Sequence, residues 1–374
     1  LERITVAVIF GGRSVEHEVS LVSAKTIIKN IDTARFLVLP VFIDKAGVWR
    51  RVSIGSWLKG GGLETSEWGV LSPSLDPKDK VFYEIGPSGL MSEHEVDIIF
   101  PVLHGTYGED GTIQGLLELM DIPYVGASVL GSSVGMDKIV TKAVLRDAGI
   151  PVVPHLWFYS HEWEGGGKTG KEAITNRIVE EIGTPCYVKS ANLGSSVGIT
   201  KVDTADDLAG GIDLASGYSE RVIVECAVAN PREIEVSVLG NESPIVSVPG
   251  EIVPKGGFYD YKAKYVDSDA ELIAPAELDE ATTEKVREYA VRAYRAIDCA
   301  GMSRVDFLID GNTGDIFVSE LNTIPGFTEI SMYPKLWEAS GIAFQELVTR
   351  LIDLALERGE RSKRLKRDYS SDEE

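Results

Sequence analysis

Cysteine is scarce in this chain, with only Cys186, Cys226 and Cys299 among 374 residues. Three thiols, odd in number and far apart in sequence, make neither a disulfide framework nor a zinc spacing, and the five histidines show no ligand spacing. Reduced, buried thiols in a cytoplasmic protein are the expectation. Long apolar runs are missing too: none reaches the roughly 20 residues that a membrane-spanning helix needs, so no membrane partner is expected. The apolar stretch at 4–10 leads straight into glycines, so no signal peptide is expected. Basic residues are in deficit, 37 Lys and Arg against 58 Asp and Glu, for a net charge of −21. That balance argues against nucleic acid, whose phosphates are bound by basic surfaces. Any anion site must locally oppose this field, so clustered lysines and arginines become informative. Two glycine fingerprints are also absent. Without G-x-G-x-x-G after the first apolar run, a dinucleotide-binding dehydrogenase is disfavoured, and without G-x-x-x-x-G-K-[ST] there is no P-loop.

What is present reads as an ordinary globular protein, 44% hydrophobic and 25% charged, long enough for two or three domains. A strand at 4–10, a helix at 16–30 and a strand at 36–43 form a βαβ beginning and predict a parallel sheet. Residues 53–95 are weakly patterned and are expected to be irregular, with short strands. A buried strand at 96–102 runs into Leu-His-Gly-Thr-Tyr-Gly-Glu-Asp-Gly (103–111) and a helix at 112–120; open α/β sheets bind ligands in such loops. Asp137 can cap a helix at 138–148, with Gly149 as its stop and Pro151 beyond. Residues 161–171, with three consecutive glycines, read as a loop. Further strands are expected at 186–190, 199–202, 221–227, 233–239 and 244–248, and amphipathic helices at 280–297 and 344–358. There is no internal repeat, and the charged tail after Gly359 is expected to be disordered.

The densest chemistry lies at Arg-Val-Asp (304–306) and Glu-Leu-Asn-Thr-Ile-Pro-Gly (320–326). Two strand-like segments, 303–309 and 315–322, flank the turn-forming Asp-Gly-Asn-Thr-Gly (310–314), a hairpin pattern. Pairing symmetric about Asn312 would put the even-numbered residues of both strands on one face, where Arg304, Asp306, Glu320 and Asn322 converge. Three oxygen-bearing side chains beside an arginine suit Mg2+ and a polyphosphate, although a solvated hairpin face has the same pattern. Lys189 closes a strand just before Gly-Ser-Ser-Val-Gly (194–198), a lysine and glycine-rich turn able to cradle phosphate or simply a hairpin. Glu225 and Glu233 flank a strand exit and are either nucleotide ligands or exposed carboxylates. The aromatic and basic loop at 257–265 could close over an anion or pack as a surface loop. Glu16, at a helix start, is placed to bind an ammonium or is an ordinary first-turn glutamate.

Taken together, the chain resembles the D-alanine–D-alanine ligase family of the ATP-grasp superfamily. The resemblance rests on Phe-Gly-Gly-Arg-Ser-Val-Glu-His-Glu-Val-Ser (10–20), the 103–115 segment, Gly-Met-Asp-Lys (135–138), Gly-Ser-Ser-Val-Gly (194–198), Phe-Tyr-Asp-Tyr-Lys-Ala-Lys-Tyr (258–265), and the 304–306 and 320–328 motifs, in family order. It implies an α/β, three-domain ATP-grasp fold: an N-terminal parallel-sheet domain at 1–135, a central subdomain at 136–228, a C-terminal domain at 229–359 and a charged tail at 360–374. It implies ATP and two Mg2+ (or Mn2+) as cofactors, D-alanine as substrate and a homodimer. Lys138, Lys189 and Ser196 would contact the ATP phosphates, Glu225 and Glu233 the adenine and ribose, and Phe258 and Lys264 the nucleotide. Asp306, Glu320 and Asn322 would hold the metals. Glu16 would bind the first D-alanine with His104 lining that pocket, and Ser331 and Lys264 would hold the second substrate's carboxylate. Arg304 and the Gly326 amide would serve the oxyanion, while Ser195 and Tyr265 would join Glu16 in a latch. Rivals are a D-alanine–D-lactate ligase, disfavoured by Tyr265, and a non-catalytic nucleotide-binding module. Three departures from the family pattern stand out: Ser190 in place of Pro, Asn192-Leu193, and one extra residue with Pro231 between Glu225 and Glu233.

Overall fold

The apolar run at the N-terminus becomes the strand Ile4–Gly11, paired in parallel with Phe36–Ile43 on one side and Ile98–Val102 on the other. Val6 through Phe10 are fully buried, as expected of a parallel strand covered on both faces. The connecting helix His17–Asn30 begins one residue later than expected. This is a computed structural model, and it describes residues 3–63, 69–194, 197–254 and 270–366. Residues 53–95 are more regular than their pattern predicts. Beyond Trp49–Arg51, the strands Val70–Pro73, Val81–Gly86 and Gly89–Glu95 extend the sheet antiparallel to a total of seven. Buried Leu71, Val81 and Phe82 supply the anchors that the polar composition hides.

A second sheet is wholly antiparallel, in the order Ile199–Val202, Cys186–Ser190, Arg221–Cys226, His155–Tyr159. Helices cover one face of it, and two of them overturn the loop expected at 161–171: Ser160–Gly165 and Gly167–Glu181 flank Gly166. Tertiary contacts override the poor helix propensity of glycine here. Trp163 is buried, its Nε1 donates to Asp213 at 2.6 Å, and Lys171 lies over its ring.

The third sheet holds Ala270–Ile273, Gly250–Pro254, Arg232–Gly240, Gly301–Ile309 and Ile316–Asn322, with Ile245–Val246 beside Arg232–Gly240. The helix Glu280–Ala296 packs Val286, Ala290 and Ala293 on one face of this sheet, against Ile234, Val236, Val305 and Phe307. On the opposite face Leu239 and Met302 join the first core cluster and Ile252 packs on Met332 and Leu336, while the stretch around Glu235, Arg304 and Asp306 carries polar groups. The last helix, Phe344–Ser362, places Leu347, Leu351 and Ile352 in the same core cluster as Val6, Ile98 and Phe100, tying the chain's end to the first sheet. It runs past Gly359, so residues 360–362 are helical where the tail was expected to start; Arg361 is anchored there by Glu242 and Glu357. Residues 367–374 lie outside the described residues. Among the described residues, no helix is long and apolar enough to cross a membrane.

Candidate active site

The hairpin forms, but in a shifted register. Arg304 lies opposite Asn322 and Asp306 opposite Glu320, a pairing centred on Thr313 instead of Asn312; nearer the turn, Phe307 faces Val318 and Ile309 faces Ile316. The mismatch leaves Ser319 as the extra residue of a β-bulge. Bulges re-aim side chains, and this one lets both Val318 and Leu321 face the core while Glu320 and Asn322 turn to the polar face. The turn itself sets the offset: Asp310 accepts from the Asn312 and Thr313 amides, Gly314 N donates to Asp310 O, and Gly314 adopts φ 78°.

On that face Arg304 grips Asp306 through two bonds, Nε to Oδ1 at 2.7 Å and Nη2 to Oδ2 at 2.6 Å, and also meets Glu235 at 3.1 Å. Asn322 Nδ2 donates to Asp306 at 3.0 Å. Glu235 sits directly across from Asp306 in the neighbouring strand. These groups open on a cleft whose lining includes Lys138, Arg304, Glu320, Asn322, Gly326 and Ser331. Lys138 follows Asp137, which caps the helix Lys138–Asp147 by accepting from the Ile139 and Val140 amides. Its ammonium donates to Leu193 O at 2.6 Å and lies 3.8 Å from Glu320, between the glycine-rich loop and the hairpin.

Lys189 is part of a second charged set. Its Nζ donates to Glu225 at 2.6 Å, and fully buried Lys142 meets the other Glu225 oxygen at 3.0 Å. Burial works against the Glu225 carboxylate, but the two ammoniums overcome it and hold that group well below the usual carboxylate range. Lys142 also donates to the carbonyl of the bulged Ser319 at 3.2 Å, linking this cluster to the hairpin. The lining of the cleft does not include Lys189, Glu225 or Glu233; it includes Glu235.

The N-terminal sheet supplies the other wall. Glu16, His104 and Glu109 all line the cleft. Gly105, at φ +71°, makes room for Glu16: a Cβ there would lie 2.3 Å from the Glu16 carboxylate. Gly194 approaches the same carboxylate from the glycine-rich loop, its would-be Cβ 3.3 Å away. Both ring nitrogens of His104 are committed inside the protein, to Ile324 O at 2.9 Å and Ser23 Oγ at 3.0 Å, so it shapes the pocket with its ring. Burial lowers its pKa and keeps it neutral. Glu109 accepts from Gly105 N and Ile324 N; burial first, then the neighbouring Glu16 charge, push its carboxyl up to about 8. A Cβ on Gly326 would come within 2.8 Å of Ser331 Oγ, so any side chain there would have to displace that hydroxyl. Ser331 in turn accepts from Thr328 N.

Ser195, Ser196, Phe258, Lys264 and Tyr265 lie outside the described residues. The departures noted in the sequence are absorbed locally. Ser190 N donates to Gly198 O and its hydroxyl to Ala215 O, closing the base of the glycine-rich loop with bonds that proline could not make. The extra residue before Glu233 falls in a turn where Asn230 takes φ 44° and docks on Asn312. Sequence reading missed Lys142, Glu235, Ser23 and Glu109. Glu235 had a signal, its even spacing from Glu233 along one strand; Lys142 had a helical i, i+4 spacing from Lys138 that passed unused.

Comparison with known proteins adds to this geometry. Residues 5–127 match the family model described as D-ala D-ala ligase N-terminus, and residues 144–353 the one described as D-ala D-ala ligase C-terminus. The D-alanine–D-alanine ligase of Thermoanaerobacter sp. (strain X514) is 48% identical over 366 residues, 96% of this chain and 98% of that protein. That of Natranaerobius thermophilus is 44% identical over 378 residues, covering 99% and 100%. Among solved structures, the D-alanine-D-alanine ligase from Coxiella burnetii superposes with a TM-score of 0.81 at 35% identity over 97% of both chains. The VanG D-Ala:D-Ser ligase from Enterococcus faecalis reaches the same score and identity over 95% of this chain and 100% of that one.

Proposed function

We propose an ATP-dependent ligase joining two D-alanines, on the premise that this chain belongs to the D-ala D-ala ligase family. One observation carries the reading: Arg304, Asp306, Glu320 and Asn322 share one sheet face, and Arg304, Glu320 and Asn322 line a cleft that also meets Lys138, Glu16 and Gly326. In the first step a D-alanine carboxylate oxygen attacks the γ-phosphorus of ATP and ADP leaves, giving an acyl phosphate. In the second, the amine of another D-alanine attacks the acyl carbon and phosphate departs. Phosphoryl transfer needs positioning and charge neutralisation more than covalent help. Lys138 and Lys189 supply point charges, with Ser196, Phe258 and Lys264 assigned to the nucleotide and Glu225 and Glu233 to its adenine and ribose. Because Glu225 already holds Lys142 and Lys189, its part in this reading includes aiming those lysines.

Asp306, Glu320 and Asn322 would hold two Mg2+ (or Mn2+). Among the described residues no three His, Cys, Asp or Glu gather into a metal cage. Two carboxylates and an amide nevertheless fit Mg2+, which prefers oxygen and usually leaves positions to water and phosphate. Bound there, such ions would neutralise developing phosphate charge. Arg304 must then release Asp306, and its freed guanidinium, with the Gly326 amide, is suited to a tetrahedral oxyanion. Glu16, enclosed by Gly105 and Gly194, would take the first ammonium with His104 shaping the pocket. Ser331 and Lys264 would take the second carboxylate, and Ser195 and Tyr265 would latch to Glu16. Domains at 1–135, 136–228 and 229–359, a cytoplasmic location and a homodimer complete the reading.

The test is phosphate release from ATP and Mg2+ across D-alanine, D-serine and D-lactate, with products identified by mass spectrometry. D-alanine-dependent release with D-alanyl-D-alanine as product is expected. Faster turnover with D-lactate or D-serine as second substrate would move the assignment within the family. ATP binding by calorimetry without any release would leave a nucleotide-binding module.

A further inference from the structure

The turn that carries Gly326 is held from outside by three side chains of the N-terminal region. Ile324, two residues before the glycine, has both backbone groups engaged: its N–H donates to Glu109 Oε1 at 3.1 Å and its carbonyl accepts from His104 Nδ1 at 2.9 Å. Phe327, one residue after it, donates its N–H to Ser23 Oγ at 3.2 Å. These bonds run in one direction. Since His104 is neutral and gives its Nδ1 proton to Ile324, its Nε2 accepts from the Ser23 hydroxyl at 3.0 Å, which leaves Ser23 Oγ to accept from Phe327. Glu109 uses its second oxygen on Gly105 N at 2.7 Å, so the loop against Glu16 and the turn around Gly326 share one carboxyl group. Ser23, Ile324 and Phe327 are buried, and the polar groups of such a network must all be satisfied or it costs heavily. Among the described residues, the Gly326 N–H between these anchors has no hydrogen-bond partner, which leaves it available to a substrate oxygen.

We propose that Ser23 and Glu109 are positioning residues that clamp the backbone on either side of Gly326 and so aim its N–H at the tetrahedral oxyanion of the second step. Both side chains act through the backbone amides they hold. Their effect is geometric: a donor displaced by about 1 Å can cost on the order of 100-fold in rate. The clamp also links substrate capture to chemistry, because the carboxyl that holds Ile324 also fixes Gly105 against Glu16.

The inference rests on the ligase reading, and the test separates the two. Ser23→Ala removes one hydroxyl, and Glu109→Gln keeps the shape while removing one acceptor. Dipeptide formation is measured beside D-alanine-dependent scrambling of isotope label within ATP, which reports the first step alone. Both variants are expected to lose about 10- to 100-fold in kcat for dipeptide, with KM for ATP and label scrambling at saturating D-alanine close to wild type; Glu109→Gln, which also loosens Gly105, raises only the KM for the first D-alanine. A phosphinate dipeptide, which mimics the tetrahedral oxyanion, should lose affinity in parallel. Equal losses in scrambling and dipeptide formation would mean a general structural defect and overturn the proposal, as would dipeptide formation at the wild-type rate. Wild-type protein making no dipeptide at all would instead defeat the ligase reading.

Discussion

Two clusters of opposite charge sit a few residues apart in this molecule and behave differently. In one, Arg304 holds Asp306 and Glu235 at the wall of a cleft; in the other, Lys142 and Lys189 hold Glu225 in the interior. Distances do not separate them, since contacts of 2.6 Å occur in both. Access does. Side-chain exposure is 18% and 15% for Arg304 and Asp306, against 1% and 3% for Lys142 and Glu225, while Lys189 at 14% leads out of the sealed pair. A pair that a ligand can reach can exchange partners, and on the proposed reading the Arg304 pair does so as ligands enter the cleft. The sealed Lys142–Glu225 contact cannot, so it acts as scaffold that aims Lys189, and Lys142 passes its position to the hairpin through Ser319 O.

The largest expected effect breaks the cleft cluster. Arg304→Ala removes the proposed oxyanion donor, so ligation should fall by roughly 100- to 1,000-fold or more, while the melting temperature stays near wild type because the lost contact is replaceable by water. Glu320→Ala should behave alike. Near-normal turnover in either variant would place the chemistry elsewhere. The sealed cluster should respond the opposite way. Lys142→Met leaves Glu225 buried with one cation fewer, and breaking such a pair costs roughly 3–5 kcal/mol. Denaturant melts should show that loss, and Glu225→Gln added to Lys142→Met should recover part of it. A Lys142→Met protein as stable as wild type would erase the distinction between the two clusters.

What could be read from residues alone follows the same division. Periodicity gave the βαβ start, the hairpin and the convergence of Arg304, Asp306, Glu320 and Asn322, because a strand's alternation is local and each side chain's face follows from its parity. The register was not local. It depends on how Asp310 wraps the turn and on the bulge at Ser319, and no residue type announces a bulge there. Lys142 was hidden for a related reason: a lysine on a helix looks solvated until the sheet packed against it is known. The helices at 160–181 were missed because three glycines outweigh one tryptophan in sequence, whereas in the fold the burial of Trp163 decides. Ser23 and Glu109 matter only through the turn at 323–328, some 200 to 300 residues away in the chain.

Glu109 provides an intermediate case, a carboxyl neither sealed nor freely open. Its carboxyl is raised from 4.5 to about 8, so between those values the unfolded chain is ionised there while the folded protein keeps its proton. The folded state then binds more protons, and this group's contribution to stability must fall as pH rises from about 4.5 towards about 8 and then level off. Some exposure to the cleft moderates the size of the fall. Chemical denaturation across that window should show a downward slope that flattens in Glu109→Gln. An unchanged slope would mean that the groups facing it (Glu16, Arg304 and neutral His104) set the dependence instead.

The smallest effect is the control that gives the comparison its meaning. Arg350 and Glu346, four residues apart on the last helix, meet at 2.5 Å, closer than Lys142 and Glu225 at 3.0 Å. If separation governed strength, Arg350→Ala would be the more damaging change. Their side chains are 44% and 49% exposed, however, so water solvates both ions before and after the mutation. Exposed helix pairs of this spacing contribute about 0.3–0.5 kcal/mol. Arg350→Ala should therefore shift the denaturation midpoint barely beyond error and leave ligation unchanged. Raising salt should narrow even that difference, because screening acts on exposed charges and hardly on buried ones. A loss matching that of Lys142→Met would show that access to water is not what separates the charged pairs of this protein.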